Sequence, residues 1–274
     1  MPATALALAL AAAFIHALWN LLLARAPDIE AATAVALVVA VVAFALPAAL
    51  SWDVDRGVWP YATASAALQL TYFTLLTTAY RRAEFSVVYP IARGSAPVLV
   101  LVVAVAALGV STSWPQAAGV ALVALGIVLV RGLDPGTRPG GAAFGLVIGV
   151  VIAAYTLVDK SGLHHAGPVP YLELTMVPPT LAYAAAAAAR KGPPALRAEL
   201  NLSTVIAGLA TFGAYALVLA ALRLAPAAPV AAVRETSVII AALFAHAFLK
   251  ERIGWARATG AASVVVGVGL LSLA

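Results

Sequence analysis

No cysteine occurs among the 274 residues. A disulfide framework and a thiolate metal site are therefore excluded. Charge is scarce as well: Asp, Glu, Lys and Arg together make up 10% of the chain, against roughly a quarter in a soluble domain. The 4 histidines form no recognisable ligand set. The Walker lysine motif GxxxxGK[ST], the nucleophile elbow GxSxG and the zinc motif HExxH are all missing. These gaps argue against ATP drive within the chain and against an intramembrane hydrolase, so no cofactor, no metal and no enzyme activity are expected.

Apolar residues fill the space instead. The chain is 64% hydrophobic, with a mean hydropathy of +1.03. No soluble fold of this length hides so much apolar surface, so the lipid bilayer is the solvent. A net charge of +5 then reflects basic loops on one side of a membrane rather than a nucleic-acid partner. A spanning helix needs about 20 apolar residues. Ten such segments are predicted, at 3–24, 31–50, 60–80, 85–109, 114–131, 142–161, 169–189, 201–222, 226–249 and 254–273. The first has no basic stretch before it and exceeds a signal h-region, so it is taken as a span. The breaks, such as "SWDVDRG" and "RGLDPGTRPGG", carry turn chemistry and leave no room for an extramembrane domain.

Orientation follows from the basic residues. Arg25, Arg81, Arg82, Arg131, Arg138, Arg190, Lys191, Arg197, Lys250, Arg252 and Arg257 fall on one side; only Arg56, Lys160 and Arg223 fall on the other. The first side is expected to be cytoplasmic, with both termini outside, in a bacterial cytoplasmic membrane.

The chain also repeats. An offset of 141 aligns Arg82 with Arg223, Arg93 with Arg234, Trp114 with Trp255, Gly119 with Gly260 and Gly126 with Gly267. Earlier, Trp19 corresponds to Tyr155 and Arg25 to Lys160 after a shift of a few residues. Each half has five helices. Five is odd, so the halves enter the membrane in opposite senses. The expected fold is all-α: ten transmembrane helices in two inverted five-helix repeats around a central cavity, residues 1–135 and 136–274. That plan places a substrate site near the midplane, at the repeat interface.

The stretch "YPIARGSAP" puts Arg93 about 13 Å into the fourth helix at 1.5 Å per residue. Arg234 lies about as deep in the ninth. Arginine at that depth faces a bundle interior or a watery cavity. Pro90 and Pro97 remove donors and crowd the carbonyls of Ser86 and Arg93, so a kinked helix with freed carbonyls is expected. Gly94 and Ser95 would admit a close neighbour or ligand. Two readings stand: a cavity wall, or a structural arginine that locks two helices together.

Other polar residues join the candidate cavity by spacing. They are His16, Trp19 and Asn20 on helix 1; Tyr72, Thr74 and Thr78 on helix 3, with Thr71 on the same stripe; Tyr155 on helix 6, with Asp159 four residues on; Thr211 and Tyr215 on helix 8; Arg234 and Glu235 on helix 9. The threonines have a plain alternative, bonding to their own backbone. Asp159 and Lys160 have another, at the membrane interface, and Glu173 lies near a helix end. Trp52, Trp59, Trp114 and Trp255 flank segments as interfacial anchors. His246 is taken as a packed helix-end residue. Gly119, Gly126, Gly145, Gly149, Gly260 and Gly267 mark close-packing seams.

"HALWNLLLARA", "YPIARGSAP" and "FLKERIGWARATGAASVVVGVGLL", on this two-repeat plan, resemble EamA-type members of the drug/metabolite transporter superfamily. The resemblance spans essentially the whole chain. It is carried best by Trp19, Asn20, Pro90, Arg93, Ser95 and Pro97, and by Lys250-Glu251-Arg252, whose first-half counterpart near Val110 and Ser111 is missing. It implies a central cavity lined by both halves, helices 5 and 10 at the periphery, and a small-molecule substrate such as an aromatic or other neutral amino acid, exported by alternating access. A monomer would suffice, though a dimer is compatible with the glycine seams. The alternatives are a flippase for a lipid-linked metabolite and an exporter of drugs or other metabolites.

Overall fold

The computed structural model describes residues 1–82, 85–131, 139–240 and 255–273. Its helices are α1 (Ala3–Ala24), α2 (Ile29–Leu50), α3 (Val58–Arg82), α4 (Phe85–Ala106), α5 (Trp114–Arg131), α6 (Pro139–Gly162), α7 (Pro168–Lys191), α8 (Pro193–Ala198), α9 (Leu202–Leu224), α10 (Ala227–Arg234) and α11 (Trp255–Leu273). The short α8 is the one described helix that the segment pattern does not anticipate. The rest of the ninth span to 249, with His246 and Lys250-Glu251-Arg252, lies outside the described residues.

Local chemistry sets the boundaries. Asp28 caps α2 by accepting from the backbone N–H groups of Glu30 and Ala31. Asn201 caps α9 through Thr204 N–H. These side chains satisfy N–H groups left orphaned at a helix start. Gly192 ends α7 at φ 79°, the left-handed conformation that glycine adopts without a side-chain clash.

Among the described residues, four helices are long and apolar enough to cross a bilayer by themselves: Ala3–Leu23, Ile29–Leu50, Gly141–Gly162 and Leu202–Leu224. The outer surface of the bundle is apolar, with Val42, Leu46, Leu50, Val265 and Val266 exposed. Trp52, Trp59, Trp114 and Trp255 are exposed near helix ends, where anchors belong.

The packing pairs exchange with one another when the two halves are swapped. α1 lies on α9 as α3 lies on α6, α4 on α6 as α10 on α1, and α2 on α9 as α3 on α7. The pairs α2–α7, α4–α10 and α5–α11 straddle the exchange. Small residues make the closest approaches. A Cβ at Gly119 would stand 2.8 Å from the Gly267 carbonyl oxygen, and one at Gly145 would stand 2.9 Å from the Val88 carbonyl oxygen. With no hydrophobic drive between helices in lipid, such backbone contact supplies the dispersion energy of association. α5 and α11 pair at the edge of the bundle, which leaves the other spans to surround the centre.

The two interrupted positions differ between halves. α4 continues as one helix across residues 90 and 97. Its counterpart ends at Arg234 and resumes at Ser237. There the bonds tighten to three-residue spacing, from Glu235 N to Ala232 O and from Thr236 N to Val233 O. The Thr236 hydroxyl donates to the same Val233 carbonyl. Each proline removes only its own N–H, and a buried helix absorbs that. The interruption of helical bonding found here lies in the second half.

Candidate functional site

Arg93 and Arg234 are the buried cations at the centre, 6% and 5% exposed. Both close on Glu235, which is fully buried. Arg93 Nη1 donates to Glu235 Oε1 at 3.1 Å and to Oε2 at 3.3 Å. Arg234 donates to Oε1 from Nη2 at 3.1 Å and from Nε at 3.3 Å. Among the described residues, one carboxylate therefore serves two guanidinium groups. Arg234 Nη1 has no partner among the described residues.

On the other flank, Arg93 Nη2 lies 3.0 Å from His16 Nε2. His16 Nδ1 lies 3.2 Å from Trp19 Nε1. Trp and Arg are donors only, and a neutral imidazole has a single lone pair. The row Trp19–His16–Arg93–Glu235–Arg234 is thus rich in donors and short of acceptors. Asn20 Nδ2 donates to the His16 carbonyl at 2.7 Å, which leaves its amide oxygen as an acceptor.

A cavity of about 650 Å³ opens beside this row. His16, Trp19, Asn20, Tyr72, Arg93, Tyr155, Thr211, Tyr215 and Arg234 line it, together with Gln69, Phe73, Met176, Tyr183 and Phe212. Its wall extends to Leu23, Ile29 and Glu30 beside the α1–α2 turn, and none of its lining comes from the 51–57 or 163–167 loops. The aromatic rings meet edge to face: Tyr72 and Tyr155 at 6.2 Å, Tyr155 and Tyr215 at 6.4 Å between centroids. That geometry suits the ring quadrupoles.

Several expected wall residues face elsewhere. Thr74 is exposed and its hydroxyl donates to Leu70 O at 2.8 Å; Thr78 donates to Thr74 O at 2.7 Å. Self-bonding hydroxyls are tolerated at a lipid face, and the threonine stripe turns there while Gln69, Tyr72 and Phe73 turn inward. Ser95 donates to Ala92 O and packs on Gly149 of α6. A Cβ at Gly94 would stand 3.3 Å from the Ala124 carbonyl oxygen of α5, so these two small residues admit helices rather than a ligand. Pro97 is buried, and the Pro90 side chain lies outside the described ones. Glu235 is adjacent to the cavity but committed to the arginines.

Asp159 lies one turn before the end of α6 and is 1% exposed. Its Oδ1 accepts from Ser65 Oγ at 2.5 Å and from Tyr171 Oη at 3.0 Å. Its Oδ2 accepts from Tyr215 Oη. Gln69 Nε2 donates to that same Tyr215 oxygen at 2.8 Å. Ser65, Gln69 and Tyr72 share one face of α3 at four- and three-residue spacing, a sequence signal overshadowed by the threonines. Nothing in the sequence singles out Tyr171. Lys160 turns away from Asp159 and donates to the Leu222 and Ala225 carbonyls at the end of α9, where a cation complements the helix dipole.

Comparison with known proteins agrees with this architecture. A solved crystal structure superposes with a TM-score of 0.78, covering 100% of this chain and 98% of its own, at 15% identity. That identity carries the fold and no more. No curated protein matches the chain. The EamA-like transporter family model matches residues 3–132 and 139–273, one match per half. With ten helices in two inverted repeats and a donor-rich cavity between them, this integral membrane chain belongs to the EamA-like transporter family, within the drug/metabolite transporter superfamily.

Proposed function

We propose that this transporter exports small carboxylate-bearing metabolites, amino acids foremost and aromatic or other neutral ones among them. One observation carries the reading. Two arginines converge on one glutamate, and Arg234, whose Nη1 has no partner among the described residues, lines a cavity walled by Trp19, Tyr72, Tyr155 and Tyr215. A guanidinium fork suits a carboxylate, and the row beside it lacks acceptors. The Asn20 amide oxygen is an acceptor for an ammonium. The rings supply area for an apolar or aromatic side chain.

The positive-inside count supports a cytoplasmic face at the α1–α2 turn, toward which the cavity extends. The conformation is then inward-facing, closed on the opposite side by the Asp159 network and the paired 51–57 and 163–167 loops. Residues 1–135 and 136–274 act as the two rocking halves, in a bacterial cytoplasmic membrane with both termini outside, and a monomer suffices for transport.

Counterflow in proteoliposomes tests this. Vesicles loaded with unlabelled amino acids should accumulate labelled phenylalanine above protein-free vesicles. An absent signal from folded protein, together with binding of a polyprenyl-phosphate derivative, would replace the reading with a lipid-linked substrate.

A further inference from the structure

Asp159 is a buried charge with no cation at hydrogen-bond distance among the described residues. Its partners are three neutral hydroxyls from three helices: Ser65 on α3, Tyr171 on α7 and Tyr215 on α9. Three hydroxyls around one carboxyl can give three donors to its ionised form, or two donors and one acceptor to its protonated form. An ionised group without a counter-ion is costly to bury, and a proton is the cheapest partner it can take. We propose that Asp159 is a proton-binding site of the transport cycle. Its ionised form draws α3 of the first half onto α6, α7 and α9 of the second, and closes the end of the bundle opposite the cavity mouth.

The surroundings fit that role. Gln69 of α3 bonds Tyr215, and the charge of Arg234 on α10 also acts on Asp159. On its own helix, Tyr155 meets Tyr215 edge to face and the Lys160 ammonium is spent on α9 carbonyls. From Gly94 to Ala106, α4 has no titratable side chain. Nearer the surface, Tyr61, one turn before Ser65, stacks on His165 at 5.5 Å, and His165 pairs with exposed Asp55. Gly162 leaves room for Tyr171 to cross the end of α6, since a Cβ there would stand 2.6 Å from the tyrosine oxygen.

Protonation forms an O–H bond on the carboxyl. The hydroxyl it meets turns from donor to acceptor, and the cluster around Asp159 is rearranged, including the Ser65 tie between halves. Tyr215 connects this event to the substrate, because its ring lines the cavity while its hydroxyl sits on Asp159. A bound ligand and a bound proton therefore compete for the same tyrosine geometry.

The transport arm of the test rests on the carrier reading above; the spectroscopic arm does not. Infrared difference spectra of the full-length protein over a pH titration should show a protonated-carboxyl C=O band that is lost in Asp159→Asn. In Tyr171→Phe the band should persist and move in frequency, because the carbonyl has lost a donor. In proteoliposomes showing phenylalanine counterflow, a one-unit pH gradient coupled one-for-one permits up to about tenfold accumulation. Asp159→Asn should keep counterflow and lose that gradient-driven gain. Retention of the gain, or a pH titration identical in native and Asp159→Asn protein, would overturn the proposal. If no amino acid exchanges, the carrier reading fails alone and the infrared result decides this one. If Asp159→Asn does not fold, a native protein without a titrating band, or one whose band Tyr171→Phe leaves unmoved, overturns it.

Discussion

Arg93 and Glu235 stand 142 positions apart in the chain and 3.1 Å apart in space. Their contact joins the fourth span of one half to the ninth span of the other, and Arg234 shares the same carboxylate. Removing one partner of a buried pair costs about 3–5 kcal/mol, mostly from the stranded charge. Glu235→Ala should therefore lower the detergent melting midpoint sharply. Combining it with Arg93→Met should recover part of the loss. Additive losses in that double-mutant cycle would show that the two residues are not energetically coupled.

The Gly119–Gly267 approach predicts a steric effect. Gly119→Val places branched carbons against backbone and should cost about 1–3 kcal/mol, read as a fall in melting midpoint. Gly213→Ala is the control, since a Cβ there meets nothing within 4 Å; it should be neutral or slightly stabilising. Equal effects at both positions would contradict the α5–α11 seam.

Asp28 tests electrostatics at a loop. Its hydrogen bond from Lys191, helped by the Ala31 N–H, holds the carboxyl below the usual carboxylate range. A depressed folded value means stability that is present above the unfolded value, near 4, and lost as pH falls through the folded one. Asp28→Asn keeps a capping oxygen but loses the ion pair, so it should cost less than about 1 kcal/mol at pH 7. Asp28→Ala also loses the cap and should cost about 1 kcal/mol more. The ion-pair part should fade on melting at pH 3. A pH-independent gap between Asp28→Asn and native protein would rule out the pair.

Cavity substitutions should separate affinity from folding. Arg234→Lys loses the planar fork and should weaken carboxylate binding about tenfold or more, while Trp19→Ala should weaken aromatic substrates more than aliphatic ones. Both are read from concentration dependence of counterflow, with melting as the folding check. Thr74→Ala, on the outer face, should leave transport unchanged. Native transport in Arg93→Ala protein that reaches the membrane would remove the central assignment.

A reporter fused to the C-terminus should be active only outside the cytoplasm. Cytoplasmic activity would reverse the orientation argued from the basic residues.

Much of this was legible in the chain. Span number and order come from hydropathy, because lipid demands about 20 apolar residues wherever a helix crosses. The inverted repeat comes from residues too rare in an Ala/Val/Leu background to recur idly, such as Arg93 with Arg234 and Gly119 with Gly260. Depth made the arginines candidates, because a mid-membrane charge needs a reason to be there. The aromatic wall was partly legible too, since Trp19 and Tyr155 occupy equivalent places in the two halves.

What the chain did not show was rotation. Helical spacing says which residues share a face, not which face turns inward, so the Thr71–Thr74–Thr78 stripe was singled out while Ser65 and Gln69 were passed over. Sequence alone determined the number of spans and their repeat, because these follow from one-dimensional lengths and compositions. Only the tertiary structure decided that both arginines share Glu235 and that Asp159 gathers hydroxyls from three helices. Those contacts depend on helix azimuth and on the interrupted backbone at 234–236, which packing between the halves fixes.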